Sequence, residues 1–70
     1  MKLTPIKSVA IHSYHYDQGS KTLTLKWHSG GMHSCEGVTQ QEFDRFIASP
    51  SKGKHFHKHL KHRDWSRIDS

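Results

Sequence analysis

Seventy residues, 31% of them hydrophobic, allow one domain with a small core. A mean hydropathy of −0.88 and the lack of any apolar run beyond three residues exclude a membrane span. Eleven Lys/Arg against six Asp/Glu give a net charge of +5, which suits an anionic partner without choosing one. No charged start, apolar stretch and cleavage site mark a secretory leader. Cys35 is the single cysteine, so no internal disulfide framework is possible. A cytoplasmic protein is expected.

Residues 1–7, with Pro5, read as a lead-in that frays. Residues 9–16 are rich in β-branched and aromatic side chains and read as a first strand. Val9 and Ile11 share one parity and Tyr14 and Tyr16 the other, so a bulge between the pairs would turn both inward. Asp17-Gln18-Gly19-Ser20 is a turn. Residues 22–27 then alternate cleanly, with Leu23, Leu25 and Trp27 on one face, the strongest strand signal in the chain. His28-Ser29-Gly30-Gly31 supports a hairpin into a third strand over about residues 32–36. Its register is open. A two-residue turn sets Met32 and Ser34 beside the leucines and puts His33 and Cys35 with Thr24 and Lys26 on the opposite face. A three-residue loop does the reverse and buries Cys35.

Thr39-Gln40-Gln41-Glu42 is a T-x-x-E capping box opening a helix over about residues 40–48, with Phe43, Phe46 and Ile47 facing the sheet. Pro50 ends it. Ser51 is expected to cap a second helix over about residues 52–62, on which Phe56 and Leu60 form the apolar stripe. Residues 64–70 are a polar tail in which Trp65 and Ile68 are the candidates for packing back. The order β-β-β-α-α predicts an α+β fold: a three-stranded antiparallel sheet followed by two helices, in one domain over residues 1–70 with its core at about 8–63.

The charge is concentrated. Residues 1–50 hold five Lys/Arg and four acids, whereas residues 51–70 hold six Lys/Arg and two acids. Between Ser51 and Arg63 there is no acid at all. Lys52, Lys54, Lys58, Lys61 and Arg63 are therefore the candidate phosphate contacts, with Gly53 letting the backbone approach closely at the start of the helix. Lys26 would extend that surface, and His33 is a candidate base-stacking ring. Tyr14, Tyr16 and Trp65 are further stacking candidates, although core packing is the plainer reading of the tyrosines and of Trp27. The basic run would serve equally as a solvated helix face that keeps a small protein soluble.

Other chemistries find less support. At 100° per residue, His55, His59 and His62 fall within about 60° of one another on the second helix, and an i, i+4 histidine pair is metal-ligand spacing. No carboxylate or thiol in the segment completes the set, and Lys52, Lys58 and Arg63 would repel a dication. Metal binding there is expected to be adventitious, and no cofactor is implied. Cys35 and His33 stand at i, i+2, which separates strand side chains by roughly 7 Å without a third orienting group. The chain is also too small to enclose a usual substrate pocket of about 300 Å³ or more. It is not expected to be an enzyme.

Ser8-Val9-Ala10-Ile11, Tyr16-Asp17, Thr22-Leu23, Trp27-His28-Ser29-Gly30-Gly31, Gly37-Val38, Phe43 and Ala48-Ser49-Pro50-Ser51-Lys52-Gly53-Lys54-His55-Phe56, with His59-Leu60, together resemble the KTSC domain. The resemblance runs from about Ser8 to Arg63. Its most specific piece is P-S-K-G-K-x-F-x-x-x-[IL]. The family is named for its occurrence at the C-terminus of some lysyl-tRNA synthetases and also occurs as stand-alone bacterial and phage proteins. The family's central Y-x-Y falls on His33-Ser34-Cys35, which keeps a ring only at His33. The resemblance implies a small basic binding module, with RNA rather than DNA as partner. The alternative is an accessory module that docks on an acidic protein surface. A monomer is expected rather than an oligomer.

Overall fold

The computed structural model describes residues 2–68. Met1, Asp69 and Ser70, at the two ends expected to fray, lie outside the described residues. The elements are β1 (Thr4–Pro5), β2 (Ile11–Asp17), β3 (Thr22–Trp27), β4 (Met32–Cys35), α1 (Gln40–Ala48), α2 (Lys52–His55), a π-helical turn (Phe56–Leu60) and β5 (Ser66–Ile68). The five strands form one antiparallel sheet in the order β1-β2-β3-β4-β5. The architecture is α+β, but the sheet has five strands rather than three.

The two added strands are the edges, at Thr4–Pro5 and Ser66–Ile68. Runs of two and three residues are too short to carry a period-2 signal. Pro5 is compatible with an edge because its missing N–H faces no neighbour. The tail is anchored by Trp65, whose Nε1 donates to the Leu60 carbonyl at 2.8 Å and whose ring packs on Phe56 at 5.3 Å.

The register of β2 on β3 shifts between Ile11 and Ser13. This bulge is the device that turns Ile11, Tyr14 and Tyr16 to the same side of the sheet. Val9 does not follow them. It precedes the strand and is 99% exposed, contrary to its expected inward position.

The β3–β4 connection settles the open register. The Trp27 amide donates to Gly31 O (3.1 Å) and the Gly30 amide to Trp27 O (3.0 Å), closing a three-residue loop. Gly30 and Gly31 have φ of +97° and +96°, which favours glycine at both. Leu23 then pairs with Cys35 and Leu25 with His33, so Cys35 is buried with the leucines.

The capping box at α1 forms as expected: Glu42 N–H donates to Thr39 Oγ1, and Thr39 N–H to Glu42 Oε1, each at 3.2 Å. Ser51 does not cap α2 with its side chain. The hydroxyl that organises this turn belongs to Ser49, which accepts from Ser51 N–H at 3.3 Å and donates to Ser51 O at 3.0 Å. The second helix is also not one α-helix over 52–62. Lys61 N–H bonds to Phe56 O at 2.7 Å, an i→i+5 closure that makes the Phe56–Leu60 turn π-helical and ends it. Phe56 and Leu60 nevertheless both reach the core, with Ile11, Leu23, Leu25, Cys35, Val38 and Phe46.

Candidate nucleic-acid interface

The expected contact residues do not form one surface. Lys52, Gly53 and Lys54 line a groove of about 430 Å³ together with Lys7, Ser8, Val9, Ala10 and His57. One wall is the loop before β2; the other is the turn from Pro50 into α2. Lys7 and Val9 are exposed on the first wall, Lys54 and His57 on the second. Among the described residues, no carboxylate lines the groove.

Close packing of the two walls is why they meet. A Cβ built on Gly53 would lie 3.6 Å from Ala10 Cβ, ordinary van der Waals contact. Gly53 therefore lies beside Ala10 at the floor of the groove, with room there for a methyl group. The Lys52 ammonium donates to Ser49 O at 3.2 Å, which holds it at the rim with further donors to spare. The loop wall is pinned by Ser8, whose Oγ accepts from the amides of Ala10 (3.3 Å) and Ile11 (3.1 Å). Its carbonyl lies 2.9 Å from His28 Nε2, and the His28 amide donates to Ala10 O at 3.0 Å.

The remaining candidates lie elsewhere. Lys58 and Lys61 are exposed beyond the groove. Lys26 pairs with Ser13 and Met32 on the face of the sheet opposite the leucines. His33 lies on the leucine side, half-buried, with Nδ1 buried and without a partner among the described residues. Tyr14 and Tyr16 are engaged. Phe43 stacks on Tyr16 at 4.3 Å and 7° and packs on Tyr14 at 5.5 Å, and the Tyr16 hydroxyl donates to Val38 O at 2.5 Å. Trp27 packs edge-on against Phe56 at 4.9 Å.

Arg63 is committed within the chain. Its guanidinium pairs with the Glu42 carboxylate and donates through Nη1 to Gly37 O at 3.0 Å. The helix-face histidines separate. His55 and His59 stay together, ring centroids 4.6 Å apart, but His62 lies past the π-turn and lines a different groove with Cys35, Arg63 and Asp64. Among the described residues no three His, Cys, Asp or Glu side chains converge as a metal-ligand set. Cys35 is 2% exposed, and burial pushes its thiol above the ordinary range against the opposing charge of Arg63. It is not poised as a thiolate nucleophile.

The family profile of the KTSC domain matches residues 7–63. The chain belongs to the KTSC domain family. The crystal structure of a KTSC domain protein from Yersinia pestis is similar to this KTSC domain at 25% sequence identity, with a TM-score of 0.92 over 97% of each chain. No match was found among curated proteins. The groove residues from Lys7 to His57 all fall inside the family match, so the groove belongs to the KTSC unit. The edge strands Thr4–Pro5 and Ser66–Ile68 lie outside it. Among the described residues no helix is long and apolar enough to cross a membrane.

Sequence reasoning missed Lys7, Val9 and His57. Lys7 lies 45 positions before Lys52, and no local pattern links them. A usable signal did exist: a serine two and three residues before the amides it caps, as Ser8 is to Ala10 and Ile11, marks a pinned turn rather than a strand start.

Proposed function

We propose that this KTSC domain is a small nucleic-acid-binding module, for RNA rather than DNA, that seats phosphates in the groove between the Lys7–Ala10 loop and the Pro50–Lys54 turn. The observation that carries the reading is the convergence of Lys7, Lys52 and Lys54 on one groove with no carboxylate among the described residues of its lining. Ammonium groups fixed on a rigid frame displace counterions from a phosphate backbone, which supplies affinity without reading sequence. Exposed Lys58 and Lys61 extend the positive field beyond the groove. The chemistry asked of the site is binding without turnover. The occurrence of the family at the C-terminus of some lysyl-tRNA synthetases supports RNA as the partner.

The test is fluorescence anisotropy with tRNA and with a random single-stranded DNA oligonucleotide, over a series of salt concentrations. The triple variant Lys7→Glu, Lys52→Glu, Lys54→Glu is expected to lose at least tenfold in affinity for tRNA. Its log K against log salt slope should flatten by about 2, since each lost single-strand phosphate contact removes about 0.7. Lys26→Glu, on the other face of the sheet, should change affinity less than threefold. Absence of tRNA binding by the wild-type domain at low salt, or unchanged affinity in the triple variant, overturns the reading.

A further inference from the structure

Among the described residues Val9 is the one large hydrophobic side chain left exposed, at 99%. In a chain only 31% hydrophobic, with eight residues in its buried cluster, an isopropyl group held in water is conspicuous. A lone exposed valine on a mobile loop would mean little. This one is not on such a loop. Ser8 accepts two amide hydrogens across it, and His28 ties the backbone on both sides through Ser8 O and the amide bond to Ala10 O. The turn is fixed, and it presents Val9 at the edge of the lysine groove.

His57 belongs to the same groove, on the opposite wall. It is exposed, and its ring rests edge-on against buried Phe56 at 5.7 Å and 80°, which limits where it can point. The groove thus combines three lysines with the apolar side chains of Val9, Ala10 and Pro50 and one planar ring, and of the three apolar groups Val9 is the large hydrophobic one left exposed. Phosphate recognition alone calls for neither Val9 nor His57.

We infer that Val9 and His57 contact an unstacked base, and that the groove takes single-stranded rather than duplex nucleic acid. The inference rests on the binding function proposed above. A base in an RNA duplex has both faces covered by its neighbours, so only its edges remain; these lack the thymine methyl group, and valine has no donor or acceptor to read them. A base in a single strand offers an apolar π-face, on which an imidazole stacks and against which an isopropyl group is removed from water. Lys7, Lys52 and Lys54 hold the flanking phosphates while the base turns inward between the two walls.

The experiment compares a single-stranded RNA dodecamer with the same sequence as a duplex, binding wild type, Val9→Ser, His57→Ala and His57→Tyr. Both positions are exposed, and thermal melts confirm that the variants fold. Val9→Ser and His57→Ala should each weaken single-strand binding about three- to tenfold, as expected for exposing part of an apolar contact. Their salt slope should equal that of the wild type, because no phosphate contact is lost. His57→Tyr should retain single-strand affinity, and the duplex should bind weakly and without regard to any of the three substitutions. Wild-type binding with its salt slope intact but indifferent to Val9→Ser and His57→Ala overturns this inference alone. Equal losses on the duplex overturn it too. No wild-type binding to either RNA overturns the proposed function and this inference with it.

Discussion

The guanidinium of Arg63 joins the end of the π-turn to the start of α1. It pairs with the Glu42 carboxylate and donates through Nη1 to the Gly37 carbonyl at 3.0 Å. Glu42 is itself the return arm of the capping box on Thr39, so one arginine ties together the entry of the first helix and the exit of the second helical segment.

Replacing Arg63 should therefore affect stability more than binding. Each partner is 31% exposed, which places the ion pair near the upper end of the 0–1 kcal/mol typical of surface pairs. With the Gly37 bond also lost, Arg63→Gln is expected to cost about 1 kcal/mol. Burial pushes the Glu42 carboxyl up, but the Thr39 amide, the Arg63 guanidinium and the Thr39 hydroxyl outweigh it and hold the carboxyl below 4.5. A carboxylate held low contributes stability above its unfolded value, and that contribution fades as pH falls through the folded value. Urea melts at pH 7 and pH 3 should show a smaller penalty for Arg63→Gln in acid than at neutrality.

His55 predicts a second pH effect, of its own. Burial lowers its pKa below the ordinary 6.5, and the neighbouring charges of His59 and Arg45 act in the same direction. The ring meets Phe46 at 5.9 Å and His59 at 4.6 Å, and shares a small cavity with Glu42 and Arg45. The folded state prefers the neutral imidazole. Stability from this group is complete above pH 6.5 and is lost as pH falls through the lower folded value. His55→Gln should flatten the decline in Tm between pH 6.5 and pH 5, measured by calorimetry. An unchanged profile would show that His55 is not the group responsible.

Gly53 is expected to tolerate alanine. Its φ is not in the left-handed region, and the added methyl would meet Ala10 Cβ at an ordinary 3.6 Å. Alanine also removes unfolded-state freedom and raises helix propensity, each worth a few tenths to about 1 kcal/mol. Gly53→Ala should thus raise Tm slightly and bind tRNA within threefold of wild type. A loss of tenfold or more would mean that the glycine backbone itself approaches the ligand.

The strands and helices that were legible in the sequence are those with several turns or alternations to read. Leu23-Thr24-Leu25-Lys26-Trp27 declares its inward face, and Thr39-Gln40-Gln41-Glu42 declares the start of α1, because both patterns are local. Even the bulge in β2 was visible, as a parity clash between Ile11 and the tyrosines. Val9 was misjudged by the same argument, since parity cannot tell a strand residue from one in the pinned turn before it. Ser51 stands at the N-cap of α2 as expected, but the hydroxyl bonded in this turn is that of Ser49, two residues earlier.

The basic run was legible as a run and not as a surface. A helical wheel over residues 52–62 presumes one uniform helix, whereas the Phe56–Lys61 closure adds a residue to the turn and sends His62 and Arg63 toward Cys35 and Glu42.

Composition and local pattern by themselves determined an α+β domain with a small core, a positive C-terminal third and a capped first helix. Each follows from interactions within a few residues. What the tertiary structure alone decided is which charges meet. Lys7 joins Lys52 and Lys54 because Ala10 packs against Gly53, while Arg63 is drawn into an internal ion pair and Lys26 is turned to the far side of the sheet. A net charge of +5 is additive along the chain. The field it produces depends on distance, and distance is set by long-range packing.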